Sequence, residues 1–252
     1  MNSEIKILNL SIGYQYQSEK KILVSGIETS LTTGKLIALL GRNGIGKSTL
    51  LKTIAGSILP IKGRILIDNQ FISEISFKDL AKKISIGLTG RIQATHLTVW
   101  ELLSISRAPY TDWLGRLSEI DKQVINKSIE LTHIQSLVNH TLSTLSDGEH
   151  QKTMIARAFV QNTPFMLLDE PTAHLDISNK LSVFQLLQKL AHRENKGILV
   201  STHEIHFALQ YSDEIWLMDE GSFYRGIPTD IHLLQKLEKA FGVQGLMEMM
   251  ES

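Results

Sequence analysis

Apolar residues fall into two periodicities along this chain. Short runs dominated by Ile, Leu and Val recur at Leu36 to Leu40, Arg64 to Ile67, Phe165 to Leu168, Gly197 to Ser201 and Ile215 to Met218. Several are continuous rather than alternating, the pattern of strands buried on both faces of a parallel sheet. Between them, apolar positions at helical spacing predict helices over Ser48 to Ala55, Gln151 to Gln161 and Ser178 to His192. Strand and helix in alternation predict an α/β fold. Residues 97–142 depart from this pattern, with helix-like spacing, few strand signals and a turn-rich stretch, Ala108-Pro-Tyr-Thr-Asp-Trp-Leu-Gly115. They predict a mostly helical subdomain inserted into the core. With no repeat, low-complexity tract or linker, the expectation is one domain with lobes over residues 5–240, its helical insert at about 90–160, followed by a tail at 241–252.

Composition narrows the classes of function. Of the 252 residues, 42% are hydrophobic and 21% charged, enough for an ordinary globular core. The 26 Lys and Arg balance 26 Asp and Glu, so no overall field draws the chain onto nucleic acid, and none is expected as a partner. Anion binding must then be local. With no cysteine there is no disulfide framework, thiolate metal site or Cys nucleophile, which fits a reducing compartment. No apolar run approaches the ~20 residues that span a bilayer, and the start of the chain has no signal-like pattern. The expected location is cytoplasmic.

A local anion site is visible. Gly41-Arg42-Asn43-Gly44-Ile45-Gly46-Lys47-Ser48-Thr49 matches G-x-x-x-x-G-K-[ST] in full, after a buried-strand run and before a helical one. Glycines at these positions let backbone N–H groups converge on phosphates without an intervening Cβ, and the following helix presents its positive end to the same oxygens. Lys47 adds a full charge between the β and γ phosphates, and the Ser48 hydroxyl is placed to ligate Mg²⁺. A guanine-reading Asn-Lys-x-Asp segment is absent from both Asn-Lys pairs, Asn126-Lys127 and Asn179-Lys180, which favours ATP.

Two further segments suit nucleotide hydrolysis. Phe165-Met-Leu-Leu-Asp169-Glu170 is an apolar strand ending in paired acids, at the place where open α/β sheets bind ligands. Asp169 is the candidate for Mg²⁺ and Glu170 for polarising the attacking water. A second buried strand, Gly197 to Thr202, ends in His203, which is placed to touch the γ phosphate and position that water.

Beyond these, Leu145-Ser146-Asp147-Gly148-Glu149 and the helical run after it resemble the Leu-Ser-Gly-Gly-Gln signature of ATP-binding-cassette (ABC) ATPases. Ala173-His-Leu-Asp176 resembles their D-loop, and Tyr14 sits where the family stacks an aromatic on adenine. The ordered set covers nearly the whole chain. The resemblance implies a P-loop NTPase (RecA-like) core with an antiparallel β lobe and an inserted helical subdomain. It implies MgATP hydrolysis by a head-to-tail homodimer, with the signature of one subunit acting on the ATP of the other. Integral-membrane permease subunits and, indirectly, a solute-binding protein are the implied partners, with the chain peripheral on the inner face of the plasma membrane.

Leu97-Thr-Val-Trp100 and Arg107-Ala-Pro109 look like the helical subdomain of iron-siderophore, haem and cobalamin importers; a turn pinned by Pro109 and capped by Gly115 explains the second element equally. An ABC-type ATPase without a permease and a P-loop kinase are the competing readings; the first would carry a coiled coil, second cassette or basic arm, the second lid arginines. Two departures from the family pattern stand out. Asp147 and Glu149 replace a glycine and the glutamine of the signature, and the S-x-x-E spacing predicts that Glu149 folds back as a capping box. The position of the family's metal-side glutamine falls on Thr89, with Gln93 as the alternative.

Overall fold

The computed structural model describes residues 2–16, 19–88 and 96–251. In chain order its elements are β1 (Glu4–Tyr16), β2 (Glu19–Thr32), β3 (Leu36–Leu40), α1 (Lys47–Ile54), β4 (Lys62–Ile67), β5 (Gln70–Phe71), α2 (Phe77–Leu80) and β6 (Ile84–Gly87). There follow α3 (Val99–Ile105), α4 (Glu119–Thr132), α5 (Asp147–Val160), β7 (Phe165–Asp169), α6 (Ile177–Arg193) and β8 (Gly197–Thr202). The chain continues through α7 (Ile205–Tyr211), β9 (Glu214–Asp219), β10 (Ser222–Gly226), α8 (Ile231–Phe241) and α9 (Leu246–Glu251).

The strands form two sheets. One runs β10-β9-β3-β8-β7-β6, parallel throughout except for the antiparallel edge pair β9–β10. Its strands explain the continuous apolar runs. Leu36, Ala38 and Leu40 of β3 face a cluster built with α5 to α8, whereas Ile37 and Leu39 face a second cluster built with α1 and the other sheet. The same division separates Met166 and Leu168 from Phe165 and Leu167, and Ile215 and Leu217 from Trp216 and Met218. Both faces are covered, so alternation disappears from the sequence.

The second sheet, β2-β1-β4-β5, is antiparallel and led by the long β1–β2 pair. The Arg64 to Ile67 run belongs here, in β4, not in the parallel sheet. Its inner residues Ile65 and Ile67 are buried while Lys62, Gly63 and Arg64 are exposed. The end of the chain, expected as a tail, carries α9, whose Leu246 is buried in the core and donates its amide to Glu238.

Helices α3, α4 and α5 build a third cluster, from Val99, Leu103, Ile125, Ala156 and Val160 among others. Beside it Arg107 is 3% exposed. Its guanidinium donates from Nε to Asp121 Oδ1 at 2.8 Å, from Nη2 to the same oxygen at 2.7 Å, and from Nη1 to the Val160 carbonyl at 2.8 Å. Tyr110 stacks on it with its ring centroid 4.0 Å from the guanidinium carbon. Burial pushes the Asp121 carboxyl up, but hydrogen bonds from Ser118 and Arg107 outweigh it and hold the group below its ordinary range. The Arg-x-Pro element is therefore the anchor of this helical lobe.

A second buried cation grips the same stretch from the core side. Lys196 donates to the Thr163 carbonyl at 2.7 Å and to Asn162 Oδ1 at 3.3 Å. Burial pushes its pKa down to about 8, with Glu194 opposing that shift and Lys127 adding to it. Lys127 of α4 in turn pairs with Glu194, joining the helical lobe to the end of α6.

Two expectations follow. Arg107→Ala leaves Asp121 buried without its partner, and should lower stability by roughly 3 kcal/mol in urea unfolding. A variant within 0.5 kcal/mol, on the order of a surface change, would show that the pair carries no stability. For Lys196 the unfolded chain binds more protons than the folded one between the folded pKa of about 8 and the ordinary 10.5. Its contribution to stability therefore rises with pH across that window and is lowest below pH 8. The stability of Lys196→Met relative to wild type should accordingly fall between pH 8 and 10, as measured by urea titrations of both proteins. A pH-independent difference would refute this.

Candidate functional site

The carboxyl ends of three adjacent parallel strands assemble the site. β8 pairs with β3 on one side and β7 on the other, with Leu40 opposite Thr202 and Asp169 opposite Ser201. The loop after β3, the acids ending β7 and the histidine after β8 are thereby carried to one edge.

The loop from Gly41 to Thr49 wraps the start of α1. Gly46, the residue before the helix, has φ +113°, a conformation L side chains rarely adopt. A Cβ on Gly41 would lie 2.8 Å from the Met218 carbonyl, so the strand-to-loop exit also needs glycine. Arg42, Asn43 and Gly44 are exposed at the rim, and Ile45 and Ser48 are partly buried. No acidic residue occupies the first turn of α1, so its positive end is uncompensated by side chains of that turn. Lys47 is 5% exposed, donates to the Gly41 carbonyl at 2.7 Å and lies 3.3 Å from Glu170 Oε1. Tyr14, about half exposed, bonds through its hydroxyl to Thr49 Oγ1 at 2.8 Å, which puts its ring at the border of the loop.

Asp169 is buried and accepts from Ser201 Oγ at 2.6 Å. The same hydroxyl oxygen accepts from the Glu170 amide at 2.9 Å, and the Ser201 carbonyl accepts from that amide at 3.1 Å. These bonds hold Glu170 at φ +44°, uncommon for a non-glycine residue. Its carboxylate reaches Lys47 on one side and comes within 3.8 Å of His203 Nδ1 on the other. Lys47, Asp169, Glu170 and His203 are thus brought together. Ser201 was not among the residues singled out from sequence; only the strand register reveals it.

Leu145 is buried, and Ser146 is the N-cap of α5. The capping box is present: Glu149 Oε2 accepts from the Ser146 amide at 2.9 Å and from its hydroxyl at 2.8 Å, and the Glu149 amide donates back to Ser146 Oγ at 3.4 Å. The Ser146 amide and hydroxyl hold the Glu149 carboxyl below its usual range. Asp147 begins α5, where the helix dipole favours a carboxylate, and lines a cavity of about 360 Å³ that Asp169, Glu170 and His174 also border. Gly148 packs on α6: a Cβ there would come within 2.7 Å of Asn179 Oδ1. Asp176 is the N-cap of α6, accepting from the Asn179 amide at 2.7 Å. Thr89 and Gln93 lie outside the described residues.

Among the described residues no group of three or more His, Cys, Asp or Glu could hold a metal by itself. A divalent ion here has to share its ligands with hydroxyl, water and phosphate oxygens, and the Ser48 hydroxyl with the buried Asp169 carboxylate is a donor set that fits Mg²⁺.

The comparisons with known proteins agree on one family. Residues 24–173 match the family model described as ABC transporter. The chain is 40% identical over 214 residues to an uncharacterized ABC transporter ATP-binding protein of Methanocaldococcus jannaschii, covering 85% of this chain and 72% of that one. It is 33% identical over 244 residues to the iron(3+)-hydroxamate import ATP-binding protein FhuC of Bacillus subtilis, covering 96% and 89%. Among solved structures it matches an inward-facing metal-chelate type ABC transporter with a TM-score of 0.81 at 26% identity, covering 95% of this chain and 89% of that one. A dimeric bacterial ABC transporter cassette matches with a TM-score of 0.76 at 25% identity, covering 90% and 100%. With its phosphate loop, acidic strand end and signature helix in place, the chain belongs to the ABC transporter family, as an ATP-binding subunit that couples ATP hydrolysis to transport.

Proposed function

We propose that this subunit energises an importer of the iron-siderophore, haem and cobalamin class, acting as a head-to-tail homodimer beneath integral-membrane permease subunits that a solute-binding protein supplies. The siderophore assignment is supported by the naming of the Bacillus subtilis relative, and the dimer by the dimeric cassette of similar fold. No helix among the described residues is long and apolar enough to cross a membrane, so attachment to the inner face of the plasma membrane would run through the permease. Residues 5–240 form the ATPase domain in this reading, with the helical insert at about 90–160.

The observation that carries the reading is the contact of Lys47 with Glu170, beside Asp169 and His203, on one sheet edge. The backbone of residues 41–49 and Lys47 would hold the ATP phosphates, with Tyr14 against the adenine. Ser48 and Asp169 would hold Mg²⁺, which supplies charge neutralisation to the phosphates when bound. Glu170 would accept a hydrogen from the attacking water, and His203 would orient that water. Ser146 and the Gly148 amide would serve the partner subunit's ATP, and Asp176 would line the dimer interface. Either Thr89 or Gln93 would complete the metal side.

Glu170→Gln keeps the shape and removes the basic oxygen, so ATP binding should persist while hydrolysis slows by at least ~100-fold. ATP should then hold the variant as a dimer on size exclusion. Turnover close to wild type would remove Glu170 from this role. At the signature, the capping box directs the Glu149 charge into the helix start, so Glu149→Gln should change turnover less than about threefold, under about 0.7 kcal/mol in barrier. An increase of tenfold or more would mean that the native carboxylate disables the site.

A further inference from the structure

Glu204 has no place in the scheme above, yet its side chain lies against it. It stands at the N-cap of α7, where a short hydroxyl or carboxamide is the usual cap, and it makes no capping bond. Its carboxylate turns the other way. Oε1 lies 3.3 Å from His203 Nε2 and accepts from Lys180 Nζ at 2.5 Å. Glu204 and Lys180 are each about one-fifth exposed, so the pair is largely withdrawn from water although it meets no hydrophobic demand of the core. His203 thus has a carboxylate on each ring nitrogen, Glu204 on Nε2 and Glu170 on Nδ1.

We infer that Glu204 is a positioning residue for His203, and Lys180 its counter-charge. This rests on the reading of His203 as the group that orients water. The Glu204 carboxylate, 3.3 Å from Nε2, holds that edge of the ring toward α7 and leaves Nδ1 on the side of Glu170. Nδ1 and the Glu170 carboxylate then stand 3.8 Å apart, close enough to share a single water. A carboxylate near a triphosphate would otherwise repel it, and Lys180 supplies the neutralising charge. Lys180 is in turn held by the helix: its amide bonds to the Asp176 carbonyl at 2.9 Å, in the first turn of α6.

The test is steady-state hydrolysis by the full chain at varied MgATP, with thermal unfolding run on every variant. Glu204→Gln should lower kcat by about tenfold with KM nearly unchanged, because a group acting on the water does not act on ATP binding. In a double-mutant cycle it should add no loss to His203→Ala. The charge exchange Lys180→Glu with Glu204→Lys should recover the wild-type melting temperature but not kcat, since a cation then faces the ring. A loss from Glu204→Gln that multiplies that of His203→Ala, or full recovery of kcat in the exchanged pair, would reduce the contact to an ordinary ion pair. Wild-type kcat in His203→Ala would instead overturn the assignment of His203 itself.

Discussion

The site depends on the parallel hydrogen bonding of β8 between β3 and β7. That ladder fixes Asp169 opposite Ser201 and Leu40 opposite Thr202, so residues far apart in sequence reach one edge with a set stagger. A shift of register by one residue would turn every side chain of β7 to the other face and carry Asp169 away from the loop. What prevents the shift is burial. Met166 and Leu168 fit one core, Phe165 and Leu167 the other, and neither cluster accepts the alternate set without cavities and clashes. The catalytic geometry is thus held by apolar packing two residues behind it. Ser201 locks the end of the ladder, its one hydroxyl donating to Asp169 and accepting from the Glu170 amide.

Much of this was legible in the sequence because it is written in local pattern. Gly41 to Thr49 encodes its own loop, since positive φ and close approach demand glycine whatever surrounds it. The continuous runs of β3, β7 and β8 announced a sheet covered on both faces. Ser146 and Glu149, three residues apart, announced the capping box. The residues that escaped notice are those whose meaning is set by long-range pairing. Ser201 reads as an ordinary strand residue until β7 is laid beside it. Lys180 and Glu204 are 24 positions apart and read as surface charge. Arg107 was visible as part of a motif, but its burial depends on Asp121 and on the Val160 carbonyl, 53 residues away. The long β1–β2 pair was not among the runs singled out, because its buried apolar residues, such as Ile5, Ile7 and Ile27, are interleaved with polar ones rather than continuous.

The signature shows how two acidic residues fit the start of a helix. A helix N-terminus leaves amides without intrahelical partners, and a carboxylate three residues in satisfies one of them. Glu149 does so with the Ser146 amide, and Asp147 sits in the same positive field. The Glu149 charge is therefore spent on the helix start. Ser146 has one hydroxyl hydrogen, and it lies on Glu149; donation to a phosphate would require that bond to open. In the proposed role of this segment, that donor would be exchanged on binding.

The first turn of α6 connects these parts. Asp176 caps it, Asn179 packs its side chain against Gly148 of the signature, and Lys180 holds Glu204 beside His203. In the proposed head-to-tail dimer, a subunit's signature and its histidine would serve different ATP molecules. One helical turn then touches both, through contacts too short to move independently. The segment after α5 is anchored from both sides, since Arg107 grips the Val160 carbonyl from the helical lobe and Lys196 grips Thr163 from the core. The Val160 and Thr163 carbonyls, three residues apart, are thus each held by a buried cation.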